Sequence, residues 1–312
     1  MVPHPARPLR GIALKLASVL IFIVMQSMIK ATSAHVPGGQ AVFFRSFFAI
    51  PVIVVWLLWR HELSTGLRTR DPFGHFWRGF MGTMAMGLGF AALAYLPLPE
   101  VTALGYAAPL LTVIFAAMFL GEEVRAFRIT AVALGLVGVL IVLSPRLSLV
   151  SEGAASYREA FGAALVLGGA VFAALAQVFV RKLVMAEKTA TIVFWFSVTA
   201  TVLSLATIPF GWVWPTPGEA ALLVGAGLLG GIGQVLLTSS YREADASVIA
   251  PFDYASMLFA LAIGWFVFAE LPTATMLAGA ALVVLAGCLI IWRERQLGLK
   301  RARQRKSMTP NG

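Results

Sequence analysis

The sequence predicts an all-α polytopic membrane protein with ten transmembrane helices, arranged as two inverted repeats of five helices. Three observations lead to this prediction. Of the 312 residues, 59% are hydrophobic and only 12% are charged, about half the roughly 25% of an ordinary soluble domain. Apolar runs long enough to cross a bilayer recur along the whole chain. Several residues of the first half also recur in the second half at a nearly constant spacing.

The apolar runs fill about two thirds of the chain. A helix needs about 20 mostly apolar residues to cross the hydrocarbon core. The run over 128–143 is short, so we expect that helix to be extended or tilted. No connection between runs is long enough to fold as a soluble domain. The runs cover residues 11–29, 41–59, 76–96, 100–120, 128–143, 161–180, 190–210, 219–241, 246–269 and 273–292.

The positive charges predict the orientation. Of 24 Lys and Arg residues, nineteen lie in segments on the same side of the membrane as the N-terminus, and three lie in segments on the other side. Because basic segments stay in the cytoplasm, both termini are predicted to be cytoplasmic. The basic tail over 293–312 is a predicted anchor beside anionic lipid, and we favour that interpretation over a nucleic-acid patch.

The repeat is visible in paired residues. The pairs lie 148 to 151 positions apart and comprise Tyr106 with Tyr254, Glu122 with Glu270, and Gln26 with Gln177. They predict a first five-helix unit over 11–143, a periplasmic linker over 144–160 and a second unit over 161–292. Since five is odd, the second unit enters the membrane in the opposite sense. Secondary transporters built this way alternate between two open states, with the substrate near the midplane.

Enzyme chemistry is not indicated. Cys288 is the only cysteine, which excludes an intrachain disulfide and a cysteine-based zinc site. The four histidines, at 4, 35, 61 and 75, lack metal-ligand spacing. There is no Walker motif and no recognisable pair of nucleophile and base. We therefore expect no catalytic residue, no metal and no cofactor. A non-transporting membrane scaffold remains an alternative, although it would not need a duplicated core.

Asp253 is the most informative charge, because ionisable residues inside a membrane are costly and usually functional. It follows Pro251, which lacks a backbone donor and can open the helix locally. The carboxylate could bind a polar solute, carry a proton, or form a salt bridge at the inner surface. Tyr106 and Tyr254 each lie close to a proline, and two such rings could hold a flat heteroaromatic solute. Ordinary helix packing is the competing interpretation.

Four further residues complete the predicted binding site. Gln26 and Gln177 are related by the repeat and can donate and accept hydrogen bonds. Trp195 matches Arg45 in position and could face the cavity. Arg45 could instead reach the headgroups or pair with a carboxylate in the bundle. Lys15 lies nearer a helix end, where we expect it to extend to the headgroups.

Certain segments resemble the drug/metabolite transporter superfamily, in particular the ten-helix EamA-type family. The resemblance rests on Phe43–Phe47, Glu100–Pro109, Ala246–Tyr254 and Phe268–Glu270. It covers about residues 11–292. The resemblance implies a bacterial inner-membrane protein that carries a small organic solute by alternating access, without ATP.

Within that family, Gly105–Glu122 and Phe172–Lys182 are most similar to the bacterial riboflavin importers. That similarity implies riboflavin uptake. Carriers of S-adenosylmethionine and of amino acids share much of the pattern, so those substrates and export remain alternatives. The direction of transport and the choice between a monomer and a homodimer cannot be read from the sequence.

Overall fold

The computed structural model describes residues 8–120, 126–148, 154–183, 186–243 and 250–308, and within them it contains helices and turns but no strand. Ten helical spans follow one another along these residues. They are α1 (Pro8–Thr32), α2 (Gly38–Phe47 and Ala49–Trp59), α3 (Pro72–Ala92), α4 (Leu98–Gly105 and Ala107–Leu120), α5 (Ala126–Ser148), α6 (Ala154–Leu183), α7 (Thr189–Leu205), α8 (Pro217–Glu243), α9 (a 3-10 turn over Ala250–Tyr254 and then Ala255–Phe268) and α10 (Ala274–Met308).

Three of the spans are broken, and a proline accompanies each break. A proline inside a helix clashes with the carbonyl four residues before it. Pro51 and Pro109 therefore account for the interruptions next to Phe47 and Gly105, where α2 and α4 change segment. In α9 the 3-10 turn contains Pro251. We predicted a local opening at Pro251, and the 3-10 turn lies there; Tyr106 and Tyr254, which we expected only to lie close to a proline, both lie at these breaks.

Several helices have the length and composition of membrane spans. Among the described residues, four helices are long and apolar enough to cross a bilayer: Leu9–Thr32, Gly38–Trp59, Tyr157–Val180 and Pro217–Leu237. Shorter apolar helices include Ala190–Leu205 and Phe252–Phe268. Large apolar side chains such as Phe266, which is 82% exposed, point outward. In water such a surface would be unfavourable, and it suits contact with lipid.

Helix packing follows the internal repeat. The contacts of α1 with α8 correspond to those of α6 with α3, and those of α4 with α6 correspond to those of α9 with α1. The pairs α2–α7 and α5–α10 correspond to themselves. An exchange of the two halves therefore preserves these contacts. The predicted fold class, ten helices in two inverted repeats, is confirmed.

Close backbone approach fixes the α5–α10 pair. A Cβ atom on Gly138 would lie 2.8 Å from the carbonyl oxygen of Gly279, and one on Gly279 would lie 2.6 Å from that of Gly138. Neither position can hold a larger residue without separating the helices. Both helices also extend beyond the predicted apolar runs, since α5 continues to Ser148 and α10 to Met308.

Two sides of the bundle are distinguished below. The tail side is the side on which α1 begins and α10 ends, and the loop side is the opposite one. Helices α1 and α9 run in the same direction, because Lys15 contacts Asp253 near their beginnings and Lys30 contacts Glu270 near their ends.

Candidate functional site

A cavity of about 520 Å³ lies between the two repeats, and four of the predicted site residues line it. These are Gln26 on α1, Tyr106 on α4, Gln177 on α6 and Asp253 on α9. Apolar residues supply most of the remaining wall. The other lining residues are Val19, Phe22, Ile23, Gly105, Ala108, Pro109, Thr112, Ala173 and Ser256. The size is within the range of small-molecule sites.

Tyr106 is fixed by hydrogen bonds across the two breaks. Its hydroxyl lies 2.6 Å from Oγ of Ser256, which itself donates to the carbonyl oxygen of Asp253 at 2.7 Å. Because the serine has one proton and uses it on that carbonyl, Tyr106 is the donor in its bond to Ser256. The first segment of α4 is thus linked to the start of α9 beside the cavity.

Tyr254 supports Tyr106 instead of lining the cavity. The two rings meet edge to face, with centroids 5.1 Å apart and planes at 69°. The hydroxyl of Tyr254 points at α10, where a Cβ atom on Gly287 would overlap it. The repeat-related tyrosines are therefore brought together, as predicted, but they form a packed pair in which one ring backs the other.

Asp253 forms an ion pair. Its Oδ1 lies 2.6 Å from Nζ of Lys15, and the side chain of Lys15 is only 3% exposed while that of Asp253 is 50% exposed. The prediction that Lys15 extends to the headgroups is wrong, because α9 packs beside α1 and offers a carboxylate. Among the alternatives for Asp253, the salt bridge is present, and the carboxylate nevertheless faces the cavity.

Gln26 and Gln177 make no side-chain hydrogen bond to any residue within the described ranges. Both carboxamides border the cavity from repeat-related helices. Each can donate and accept two hydrogen bonds. They therefore offer a solute hydrogen-bond donors and acceptors that no side chain of the described residues uses.

The cavity opens toward the tail side. Pro109, Gln177 and Asp253 are its exposed lining residues. Gln177 and Asp253 lie in the tail-side parts of their helices, and Pro109 lies at the middle of α4. On the loop side, Glu270 bonds Lys30 at 2.7 Å and accepts the backbone N–H of Leu98 at 2.9 Å. Lys30 also donates to the carbonyl of Leu96 at 2.9 Å. This group, Lys30 with Glu270 and their backbone partners, closes the loop side.

Arg45 and Trp195 do not line the cavity. Trp195 donates from Nε1 to the carbonyl of Leu67 at 3.2 Å, which holds it beside the α2–α3 connection. Arg45 is 5% exposed and neither reaches a headgroup region nor pairs with a carboxylate of the described residues. Its guanidinium lies over the ring of Phe196, at 5.6 Å from the centroid, and Arg78 lies over the same ring at 3.6 Å.

Several of these residues were not predicted to belong to the site. Lys15, Lys30 and Glu270 lie near helix ends, where a charge commonly reaches the interface, so their pairing required knowledge of which helices are neighbours. Ser256 carries no charge to signal its role. Arg78 lies about two turns inside α3, but the apolar run in the sequence begins only at residue 76, so the sequence placed Arg78 at the helix end.

Comparison with known proteins agrees with this architecture. The EamA-like transporter family matches residues 9–144 and again residues 160–292. The chain belongs to the EamA-like transporter family. The family resemblance predicted from the sequence is confirmed, and the protein is a membrane transporter of a family whose members are not enzymes.

Several characterised relatives cover nearly the whole chain. The pseudopaline exporter of Pseudomonas aeruginosa is 31% identical over 92% of this chain and 97% of its own length. The riboflavin transporter of Vibrio cholerae is 29% identical over 91% and 93%. The S-adenosylmethionine uptake transporter of Rickettsia felis is 27% identical over 92% and 94%. These identities are similar, and the three substrates differ.

A solved crystal structure shares the fold. It superposes with a TM-score of 0.65 at 20% sequence identity and covers 92% of this chain and 98% of the other.

Proposed function

We propose that this carrier transports a flat, uncharged and polar metabolite through the cavity between its repeats, and that riboflavin is this metabolite. The observation that carries the proposal is the pair of unoccupied carboxamides, Gln26 and Gln177, at a cavity of about 520 Å³. The flavin ring has an imide edge that alternates acceptor and donor groups, and a carboxamide pairs with such an edge. The edge of Tyr106 and the apolar wall suit its flat face.

The charge of the cavity favours a neutral solute. Asp253 is the one carboxylate among its lining residues, and Lys15 already neutralises it at 2.6 Å. A cation such as S-adenosylmethionine would need an unpaired carboxylate to offset the loss of its hydration. Riboflavin carries no charge at neutral pH and has no such requirement.

The proposed direction is uptake, with the tail side in the cytoplasm. The distribution of positive charge supports this orientation, since nineteen of the 24 basic residues belong to segments on that side. The cavity described above would then be open inward. Intracellular phosphorylation would trap the vitamin, so uptake would need no ion coupling.

Export of S-adenosylmethionine, an amino acid or another metabolite is the second candidate. The 31% identity to a pseudopaline exporter favours it. The non-transporting scaffold is the remaining alternative, and it predicts no solute movement at all.

The experiment is expression in a bacterium that requires riboflavin and lacks its own importer. We expect growth at a lower external riboflavin concentration, and competition of labelled uptake by excess flavin. Gln26→Leu and Gln177→Leu each remove one hydrogen-bonding group. Each should weaken apparent affinity by about 0.5–1.5 kcal/mol, or roughly 2- to 13-fold.

Gln296→Leu is the matched control, because this glutamine bonds Arg293 at the end of α10, away from the cavity. It should transport like the wild type. Accumulation of S-adenosylmethionine instead, or loss of a cellular metabolite to the medium, would contradict riboflavin uptake. Absence of any transport at matched membrane expression would favour the scaffold.

A further inference from the structure

Two arginines form a group apart from the cavity, and Arg45 is 5% exposed while Arg78 is partly buried. Arg45 on α2 and Arg78 on α3 both lie over the ring of Phe196 on α7. Each is about two turns inside its helix. The Nε and Nη1 atoms of both arginines are buried and have no hydrogen-bond partner among the described residues. No carboxylate within those residues forms an ion pair with either guanidinium.

This arrangement is unfavourable as it stands. Burying a charge without a partner costs several kcal/mol, and burying two like charges beside one another adds repulsion. The shared aromatic ring offsets a part of this, since a cation over a ring gains about 0.5–2 kcal/mol. The ring cannot supply hydrogen-bond acceptors to four buried N–H-bearing atoms. An anion between the guanidiniums would satisfy both requirements.

The helices around the arginines carry glycine where a side chain would intrude. A Cβ atom on Gly230 would lie 3.1 Å from Nε of Arg45, and one on Gly82 would lie 3.1 Å from Nη1 of Arg78 and 2.7 Å from the ring of Phe196. The two guanidiniums are thus set against bare backbone. Since a guanidinium presents parallel N–H groups that match two oxygens of one group, the chemistry favours an oxyanion over a spherical ion.

We propose that Arg45 and Arg78, with Phe196 between α2, α3 and α7, form a binding site for a small oxyanion of the carboxylate or phosphate type. This site is separate from the cavity lined by Gln26 and Gln177, and it does not depend on riboflavin being the transported solute. The oxyanion is either inorganic or part of a larger organic molecule, and both share the chemistry that the guanidiniums recognise.

The experiment measures binding on the purified full-length chain in detergent, without transport. Sodium acetate, inorganic phosphate and sodium chloride are each titrated at constant ionic strength, and the unfolding temperature and the heat of binding are recorded. We expect a saturable rise in unfolding temperature with acetate or phosphate, since a ligand that binds only the folded state stabilises it. Saturation by acetate points to a carboxylate, and saturation by phosphate alone points to a phosphate group.

Arg45→Gln and Arg78→Gln should each lower the affinity for the anion roughly 10- to 100-fold, because each removes a charge-assisted hydrogen-bonding group. Both variants should also unfold at a higher temperature than the wild type when no anion is added, since one buried charge is gone. Arg60→Gln is the matched control, because this arginine is exposed beside Glu62 and Trp56. It should bind acetate or phosphate as the wild type does.

The wild-type titration decides the proposal even if a variant fails to fold. An unfolding temperature that does not respond to acetate or phosphate in a saturable way would overturn the site. An equal response to chloride would overturn its assignment to oxyanions. Equal responses in wild type and both glutamine variants would place the anion elsewhere.

Discussion

Helix α1 carries a lysine toward each end, and the two lysines are held differently. On the loop side, Lys30 and Glu270 are 11% and 17% exposed, and backbone groups complete their hydrogen bonds. On the tail side, Lys15 is 3% exposed but its partner Asp253 is 50% exposed and borders the cavity. The lysines lie fifteen residues apart, or about 22 Å along the helix.

A difference of this kind is expected of a carrier in one of two alternating states. The loop-side group is mostly buried between helices, so we expect that a solute cannot pass it without breaking the ion pair. The tail-side pair is open on the carboxylate face, so a solute can approach Asp253 while Lys15 stays buried. We expect the opposite state to reverse this difference, with Lys15–Asp253 enclosed and Lys30–Glu270 exposed to solvent.

The largest effect is expected from breaking the loop-side pair. Glu270→Gln leaves Lys30 charged and buried without its carboxylate. Removal of one partner from a buried pair costs about 3–5 kcal/mol. The state in which the loop side is closed should lose that much stability. The initial rate of transport should fall by at least about a hundredfold. The measurement is initial-rate uptake in vesicles together with the unfolding temperature.

A double variant tests whether that loss comes from the stranded charge. Lys30→Met combined with Glu270→Met should be more stable than either single variant, because no lone charge stays buried. Glu62→Gln is the control, since its pair with Arg60 is partly exposed and 3.8 Å long. Equal losses in Glu270→Gln and Glu62→Gln would show that the loop-side pair does not close the bundle.

A smaller effect is expected on the tail side. Asp253→Asn retains hydrogen bonding, and water can reach the half-exposed position. Apparent affinity should fall by about 1–2 kcal/mol, or roughly 5- to 30-fold. Uptake should be measured with and without a pH gradient. Loss of concentrative uptake with intact counterflow exchange would instead assign the coupling proton to Asp253.

Loss of the hydrogen bond between Tyr106 and Ser256 should lower apparent affinity less than the change at Asp253. Ser256→Ala removes the acceptor of the tyrosine hydroxyl and should weaken apparent affinity by about 0.5–1.5 kcal/mol, or roughly 2- to 13-fold. Tyr106→Phe should have a similar effect, and the double variant should lose no more than either alone. Additive losses in initial-rate uptake would show that the two hydroxyls act separately.

The smallest effect concerns a second tail-side contact, outside the membrane spans. Glu187 accepts hydrogen bonds from Thr69 Oγ1 at 2.8 Å and from the backbone N–H of Arg70 at 2.5 Å. Burial alone would raise the pKa of Glu187, but these hydrogen bonds outweigh burial and hold the pKa below its ordinary value of 4.5.

The resulting stability is therefore present above pH 4.5 and is lost as the pH falls through the lowered pKa. Wild-type unfolding temperature should drop in that acidic range, and Glu187→Gln should remove this part of the dependence. Glu62→Gln is again the control. An identical acid profile for wild type and Glu187→Gln would show that the contact does not stabilise the tail side.

The fold was predictable because its signals are local or repeated. The ten apolar runs, the prolines at the breaks and the residue pairs about 150 positions apart are all present in the sequence. The neighbourhood of Tyr106, Tyr254 and Asp253 followed from the same repeat. The extension of α5 to Ser148 was only partly predictable, because a helix that leaves the bilayer no longer needs apolar residues.

The ion pairs and the placement of Arg45 were not predictable. A lysine close to a helix end has two options, the interface or a carboxylate on a neighbouring helix, and only the adjacency of α1 and α9 decides between them. Trp195 occupies the position in the second repeat that Arg45 occupies in the first. Its indole, however, donates a hydrogen bond to the carbonyl of Leu67 and therefore lies beside the α2–α3 connection. Equivalent positions in two repeats lie at the same place in the backbone fold, but their side chains need not contact equivalent residues.

The contact between helices α5 and α10 has a consequence for the origin of the fold. It maps onto itself when the repeats are exchanged, as does the isologous contact of a two-fold dimer. A protein with only five of these helices could make the same contact with an inverted second copy. Fusion of two such copies would free each residue of this contact, and each lysine of α1, to change without its counterpart. Lys15 pairs with Asp253, whereas the repeat-related positions hold Val166 and Gly105, and an inverted homodimer could not encode that asymmetry.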